Sequence, residues 1–176
     1  MATGEVLRGR SGLPLYGKNG TILYAEPVTM SVDITVSWSG GKDVDICACF
    51  DVVSGEIGFG HSSEINADGF VARWTSGDNT SGGPETVHIE YSGSRSSLLD
   101  VHFDVHANWY STGTDDQGNE LSGGGPATIS ATDSAGNTKS FTLMPATSKH
   151  RAATAGDPGA RLSFNVNGTL KSITAC

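Results

Sequence analysis

The chain has 176 residues, a net charge of −8 and only 17% charged side chains. That is long enough for one domain with a substantial core, and it offers no basic stripe to neutralise phosphates, which argues against a nucleic-acid partner. No apolar run approaches the roughly 18 residues a membrane span needs, and Met1 to Glu5 lacks the basic-then-apolar start of a signal peptide, so a cytoplasmic protein is expected.

Gly contributes 24 residues, and strong helix formers are scarce, which favours short strands and turns. Residues 1–27 have no clear periodicity and read as an N-terminal arm ahead of a domain over 28–176. Val28 to Trp38 alternates, with Val32, Ile34, Val36 and Trp38 on one face. Ile46 to Val53 is nearly continuous in apolar residues, as in a strand buried on both faces. Phe70–Trp74 and Thr86–Tyr91 read as strands flanking a Gly-Asp-Asn loop. Leu98 to Trp109 sets Val101, Phe103, Val105, Ala107 and Trp109 against His102, Asp104, His106 and Asn108, which predicts an apolar inner face and a polar outer one. Thr128–Thr132 and Thr138–Leu143 form a hairpin around the five residues 133–137. A tighter hairpin joins 160–166 to 169–175 through Asn167-Gly168, a pair suited to a type I′ turn. Ser148 to Gly159 reads as a long loop. Nine or ten such strands predict an all-β, two-sheet β-sandwich.

Two acidic clusters stand out, Asp43-Val44-Asp45 and Gly77-Asp78-Asn79, each on the lip of a strand. Hard cations take six to eight oxygen ligands and need carboxylates converging from more than one loop, which two such loops on a β-scaffold can provide. Taken alone, Asp43 and Asp45 read rather as an ordinary solvated turn than as an ion site.

The segment Asp43-Val44-Asp45-Ile46-Cys47-Ala48 resembles the Asp-Leu-Asp-x-x-Ala signature of the TerD family of tellurite-resistance and stress-response proteins. Gly77-Asp78-Asn79-Thr80, followed by Gly82-Gly83 and Glu85, is similar to that family's Gly-Asp-Asn-x-Thr-Gly loop and trailing acid. Arg161 to Lys171 resembles its closing hairpin, and the similarity runs in order from about residue 28 onward. The resemblance implies a β-sandwich that binds calcium at one end without enzymatic activity, through Asp43, Asp45, Asp78, Asn79 and Glu85. The family's denser acidic run after Gly-Asp-Asn is reduced here to Thr80-Ser81-Gly82-Gly83-Pro84, so one ion is expected. Ser62-Ser63 stands where the family has Asn-Asn, and residues 1–27 do not resemble its usual start.

Other chemistries are less well served. Cys47, Cys49 and Cys176 are expected reduced; Cys47 and Cys49 share a strand face, but no second Cys/His pair lies at zinc-site spacing. His102, Asp104 and His106, with His88 on a neighbouring strand, read as a polar face rather than a shared metal site. Asp115 to Glu120 lacks EF-hand spacing, and Ser122 to Pro126 lacks the Lys and helix of a phosphate loop. No nucleophile elbow is present. The leading expectation is a calcium-dependent module that meets another protein or another copy of itself. Its rival is a structural subunit of a larger assembly such as a phage virion capsid or tail, with the arm docked onto neighbours and the ion site retained or lost.

Overall fold

Period-2 alternation becomes eleven strands in the computed structural model, which describes residues 6–8, 13–22, 27–39, 43–80, 82–93, 100–110, 116–117, 125–145 and 151–176. In chain order they are β1 Val28–Trp38, β2 Val44–Phe50, β3 Glu56–Gly58, β4 Glu64–Ala67, β5 Phe70–Trp74, β6 Glu85–Gly93, β7 His102–Trp109, β8 Ala127–Asp133, β9 Thr138–Leu143, β10 Gly159–Phe164 and β11 Leu170–Ala175. A six-stranded sheet runs β4-β5-β6-β1-β8-β9 and a five-stranded sheet runs β11-β10-β7-β2-β3; every pairing is antiparallel. The described residues include no helix, hence none long and apolar enough to cross a membrane. The predicted all-β sandwich is the observed architecture.

Each sheet contributes its alternating apolar face to one core. Met30, Val32, Ile34, Val36 and Trp38 of β1 are buried, and Ile34 pairs with Val87 on one side and Ala131 on the other. Phe103 of β7 packs against Phe50 and Phe164 with ring centroids 5.5 and 5.2 Å apart, and against Phe70 of the opposite sheet at 6.0 Å. Such pairs add about 1 kcal/mol each to the area they bury.

Several expectations need correction. The two strands beyond the nine segments named from the sequence are β3 and β4, only three and four residues long and too short for a periodic signal. β2 ends at Phe50, and Val52 and Val53 lie in a bend while still packing on the core. β7 begins at His102; residues 98 and 99 lie outside the described residues. His106 and Asn108 are 5% and 3% exposed rather than solvated. The segment 151–158 covers them: His106 Nδ1 is 2.8 Å from the Asp157 carbonyl, and Asn108 Nδ2 donates to that of Arg151. Asp157 anchors this cover by accepting two hydrogen bonds from the Arg151 guanidinium, both at 2.7 Å. Asp115, residues 118–120 and residues 122–124 lie outside the described residues.

The β10–β11 turn is not type I′, because no described non-glycine residue has a positive φ. Gly168 alone does (φ 82°), and its N–H donates to the Asn165 carbonyl at 2.9 Å while Asn165 N–H donates to Thr169. This is the longer turn that ends in a left-handed glycine, and Gly136 repeats it between β8 and β9 (φ 83°).

Arm residues pair among themselves: Leu15 N–H donates to the Leu7 carbonyl at 2.7 Å, and Tyr16 forms a bridge with Ile22. Leu7, Leu13, Leu15, Tyr16 and Ile22 remain exposed.

Asp133, buried at the end of β8, ties the two sheets together. Its Oδ1 accepts from the Ala135 and Asn137 backbone N–H groups at 3.0 and 2.9 Å, and its Oδ2 from Leu170 N–H of the other sheet at 2.8 Å. Burial opposes its charge, but these bonds and the Asn137 side chain outweigh it and hold the carboxyl below its usual range. Asp133→Ala strands those donors and is expected to cost on the order of 3 kcal/mol by urea denaturation, against less than about 0.5 kcal/mol for the exposed Asp116→Ala.

Candidate metal centre

Strands of both sheets begin or end at one edge of the sandwich, and the acidic residues gather there. Asp43 directly precedes β2, and its carbonyl accepts from Tyr110 N–H just beyond β7 at 3.2 Å, which pins the strand's entry. Asp45 is the second residue of β2, opposite Asn108. Glu85 opens β6 in the other sheet, opposite Val36 of β1. The loop between β5 and β6 carries Asp78 and Asn79. Its base is closed by Thr75 N–H donating to the Thr86 carbonyl and Thr86 N–H donating to Ser76 Oγ, both at 2.9 Å. Gly77 (φ 71°) turns the chain into the acidic residues. Gly83 holds the loop's far end against Trp38, where a Cβ would meet ring carbons at 2.8 Å.

One carboxylate oxygen from each of Asp43, Asp45 and Asp78 lies within 4.8 Å of the others. Asp45 is 1% exposed and Glu85 fully buried, whereas Asp78 is exposed, so the cluster runs from the interior to solvent. Asn79 joins through its backbone, whose N–H donates to Glu85 Oε1 at 3.2 Å. Both oxygens of Asp45, Oδ1 of Asp43 and Oε2 of Glu85 are buried without a hydrogen-bond partner. Among the described residues no Lys, Arg or His forms an ion pair with these carboxylates.

Electrostatics follow from that geometry. Burial, then the charges of Asp43 and Asp78, pushes Asp45 up to about 7. Burial likewise pushes Glu85 up to about 8; the Asn79 hydrogen bond opposes this, and Asp45, Asp78 and Asp43 add to it. Burial and Asp78 raise Asp43 above the usual carboxylate range. An oxygen-rich cluster of this kind is chemically suited to a hard divalent ion, which would satisfy the orphaned oxygens and cancel the repulsion.

Of the five expected ligands, Asp43, Asp45 and Asp78 bring side-chain oxygens together, Glu85 lies buried close enough for their charges to raise it, and the Asn79 backbone N–H bonds Glu85. Of the row expected as a polar face, Asp104 and His106 lie with Cys176, their ligand atoms within 4.8 Å of one another, and His102 and His88 stand apart. His102 faces Asp51 at 3.0 Å, and His88, on the six-stranded sheet rather than beside β7, faces Asp33 at 2.6 Å. Comparison with protein-family models, with curated proteins and with solved structures finds no match for this chain.

The raised carboxyls make metal-free stability depend on pH. The folded chain keeps protons on Asp45 and Glu85 that the unfolded chain releases near pH 4, so stability falls as pH rises from about 4 to 8. In chelator the melting temperature is expected to be several degrees higher at pH 5 than at pH 8. Asp45→Asn should flatten that slope and raise the pH 8 value. An unchanged slope in the variant would mean that Asp45 is not the strained acid.

Proposed function

We propose that the chain is a non-enzymatic, TerD-like β-sandwich module that binds one calcium ion through Asp43, Asp45, Asp78 and Glu85 and uses it to order a surface for protein association. The observation that carries this reading is the buried Asp45 carboxylate, 1% exposed and with neither oxygen partnered among the described residues, beside Asp43 and Asp78. Calcium suits the set better than magnesium. Magnesium usually meets one or two carboxylates and keeps its waters, whereas calcium accepts several carboxylates in a flexible shell. Support for the TerD-like reading comes from motif order: the Asp-x-Asp and Gly-Asp-Asn segments, about thirty residues apart, converge on one cluster. Asn79 acts as a backbone support rather than a side-chain ligand, and one ion accounts for the acids present.

Calcium titration by calorimetry is expected to give one site, and calcium at 100-fold over its dissociation constant should raise the melting temperature by roughly 5–10 °C. Asp45→Asn should abolish both effects while the protein stays folded. Heat-silent titration with an unshifted melting temperature would remove the proposal.

A second reading, a structural subunit of an assembly such as a virion, draws on the arm, where Leu13 and Tyr16 are 67% and 60% exposed. Such side chains bury readily against a neighbouring copy. Light scattering separates the two: a monomer at all calcium concentrations contradicts the assembly, and an oligomer lost on deleting residues 1–27 supports it. The first reading goes with a cytoplasmic protein and the second with one carried in a particle.

A further inference from the structure

The outer face of the five-stranded sheet carries a second group of potential metal ligands, of a different chemical character from the acidic cluster. Cys47 and Cys49 lie two residues apart in β2 and so on the same side of the strand, with their Sγ atoms 3.5 Å apart. Cys49 pairs across the ladder with Glu56 of β3, and its Sγ is 3.7 Å from Glu56 Oε1. The three ligand atoms all lie within 4.8 Å of one another.

These separations match the edges of a tetrahedron around zinc. With Zn–S near 2.3 Å and Zn–O near 2.1 Å, the S···S edge is about 3.8 Å and the S···O edge about 3.6 Å. The Cys47–Cys49 and Cys49–Glu56 separations are within a few tenths of an ångström of those edges, and Cys47 Sγ lies within 4.8 Å of a Glu56 carboxylate oxygen. Glu56 is also held in place from behind. Its Oε2 lies 2.9 Å from His61 Nδ1, and His61 Nε2 lies 2.7 Å from the Ala153 carbonyl. A carboxylate ligand backed by an imidazole is the kind of outer support that orients metal ligands. Cys47 is fully buried, whereas Cys49 and Glu56 reach solvent, so the site has a closed floor and an open mouth.

We propose that Cys47, Cys49 and Glu56 form a zinc site, with the fourth position left for water or an exogenous ligand. Two thiolates and one carboxylate select a borderline-soft ion and discriminate against calcium, so this site is distinct from the acidic cluster only two residues back along β2. On binding, each thiol gives its proton to solvent and each sulfur donates an electron pair to the ion. Without metal, the hydrogen bond between the two thiols and then burial hold Cys47 protonated, so uptake strengthens as pH rises.

Cobalt(II) is the probe, titrated into the full-length reduced chain. One equivalent is expected to produce sulfur-to-cobalt charge-transfer absorption and strong tetrahedral visible bands, both removed by one equivalent of zinc and unaffected by excess calcium. Cys49→Ser and Glu56→Gln should each weaken binding by at least about 10-fold. Glu56 is half-buried on the short edge strand β3, so its variant keeps the test open if the cysteine variant misfolds. Cys176→Ser and Asp45→Asn should leave the bands intact. The proposal is overturned if the wild type gives no sulfur charge transfer, or if cobalt affinity is undiminished in Cys49→Ser. Loss of the bands in Cys176→Ser would also overturn it by moving the ion to the neighbouring Asp104, His106 and Cys176 group.

Discussion

Repulsion between carboxylates held at one edge of the sandwich is the constraint around which the acidic centre is organised. Two unit charges 4 Å apart cost about 4 kcal/mol at an effective dielectric of 20, and Asp43, Asp45 and Asp78 place oxygens within 4.8 Å of one another with Glu85 buried beside them. The fold has two ways to relieve this cost: protons on Asp45 and Glu85, or a cation among them. Everything nearby holds the loops in place against the repulsion. Tyr110 grips the Asp43 carbonyl, Ser76 and Thr75 close the base of the Asp78 loop, and Trp38 packs against Gly83.

The contrast with Asp133 is instructive. Both Asp133 and Asp45 are almost fully buried acids near strand ends. Asp133 is met by backbone donors from its own turn and from Leu170 of the other sheet, and its charge is stabilised where it stands. Asp45 is met by other acids and, among the described residues, by no donor. One is a structural tie between sheets. The other is disfavoured as an anion by burial and by its acidic neighbours, which is the feature the proposed ion would relieve.

The parts of the fold that were legible in the sequence are those with long alternation. β1 and β7 are the plainest examples, because each buries one face and a one-residue slip would expose it. β3 and β4 were hidden because three or four residues cannot show a period. Asn167-Gly168 misled because the same dipeptide also serves a longer turn in which only the glycine is left-handed. His106 and Asn108 alternate like surface residues but lie under segment 151–158, a tertiary cover that no local pattern announces. At the site, the two acidic clusters pointed to Asp43, Asp45 and Asp78, and Glu85 came only from the family resemblance, while the hydrogen bond of the Asn79 backbone and the contact of Cys49 with Glu56 depend on loop closure and strand pairing.

The most direct measurement is a crystal structure grown in calcium, with anomalous diffraction recorded at a long wavelength. The account predicts a single anomalous peak bonded to oxygens of Asp43, Asp45, Asp78 and Glu85 at 2.3–2.6 Å. A map with no such peak, and with the Asp45 oxygens partnered instead by a basic side chain or by water alone, would contradict it.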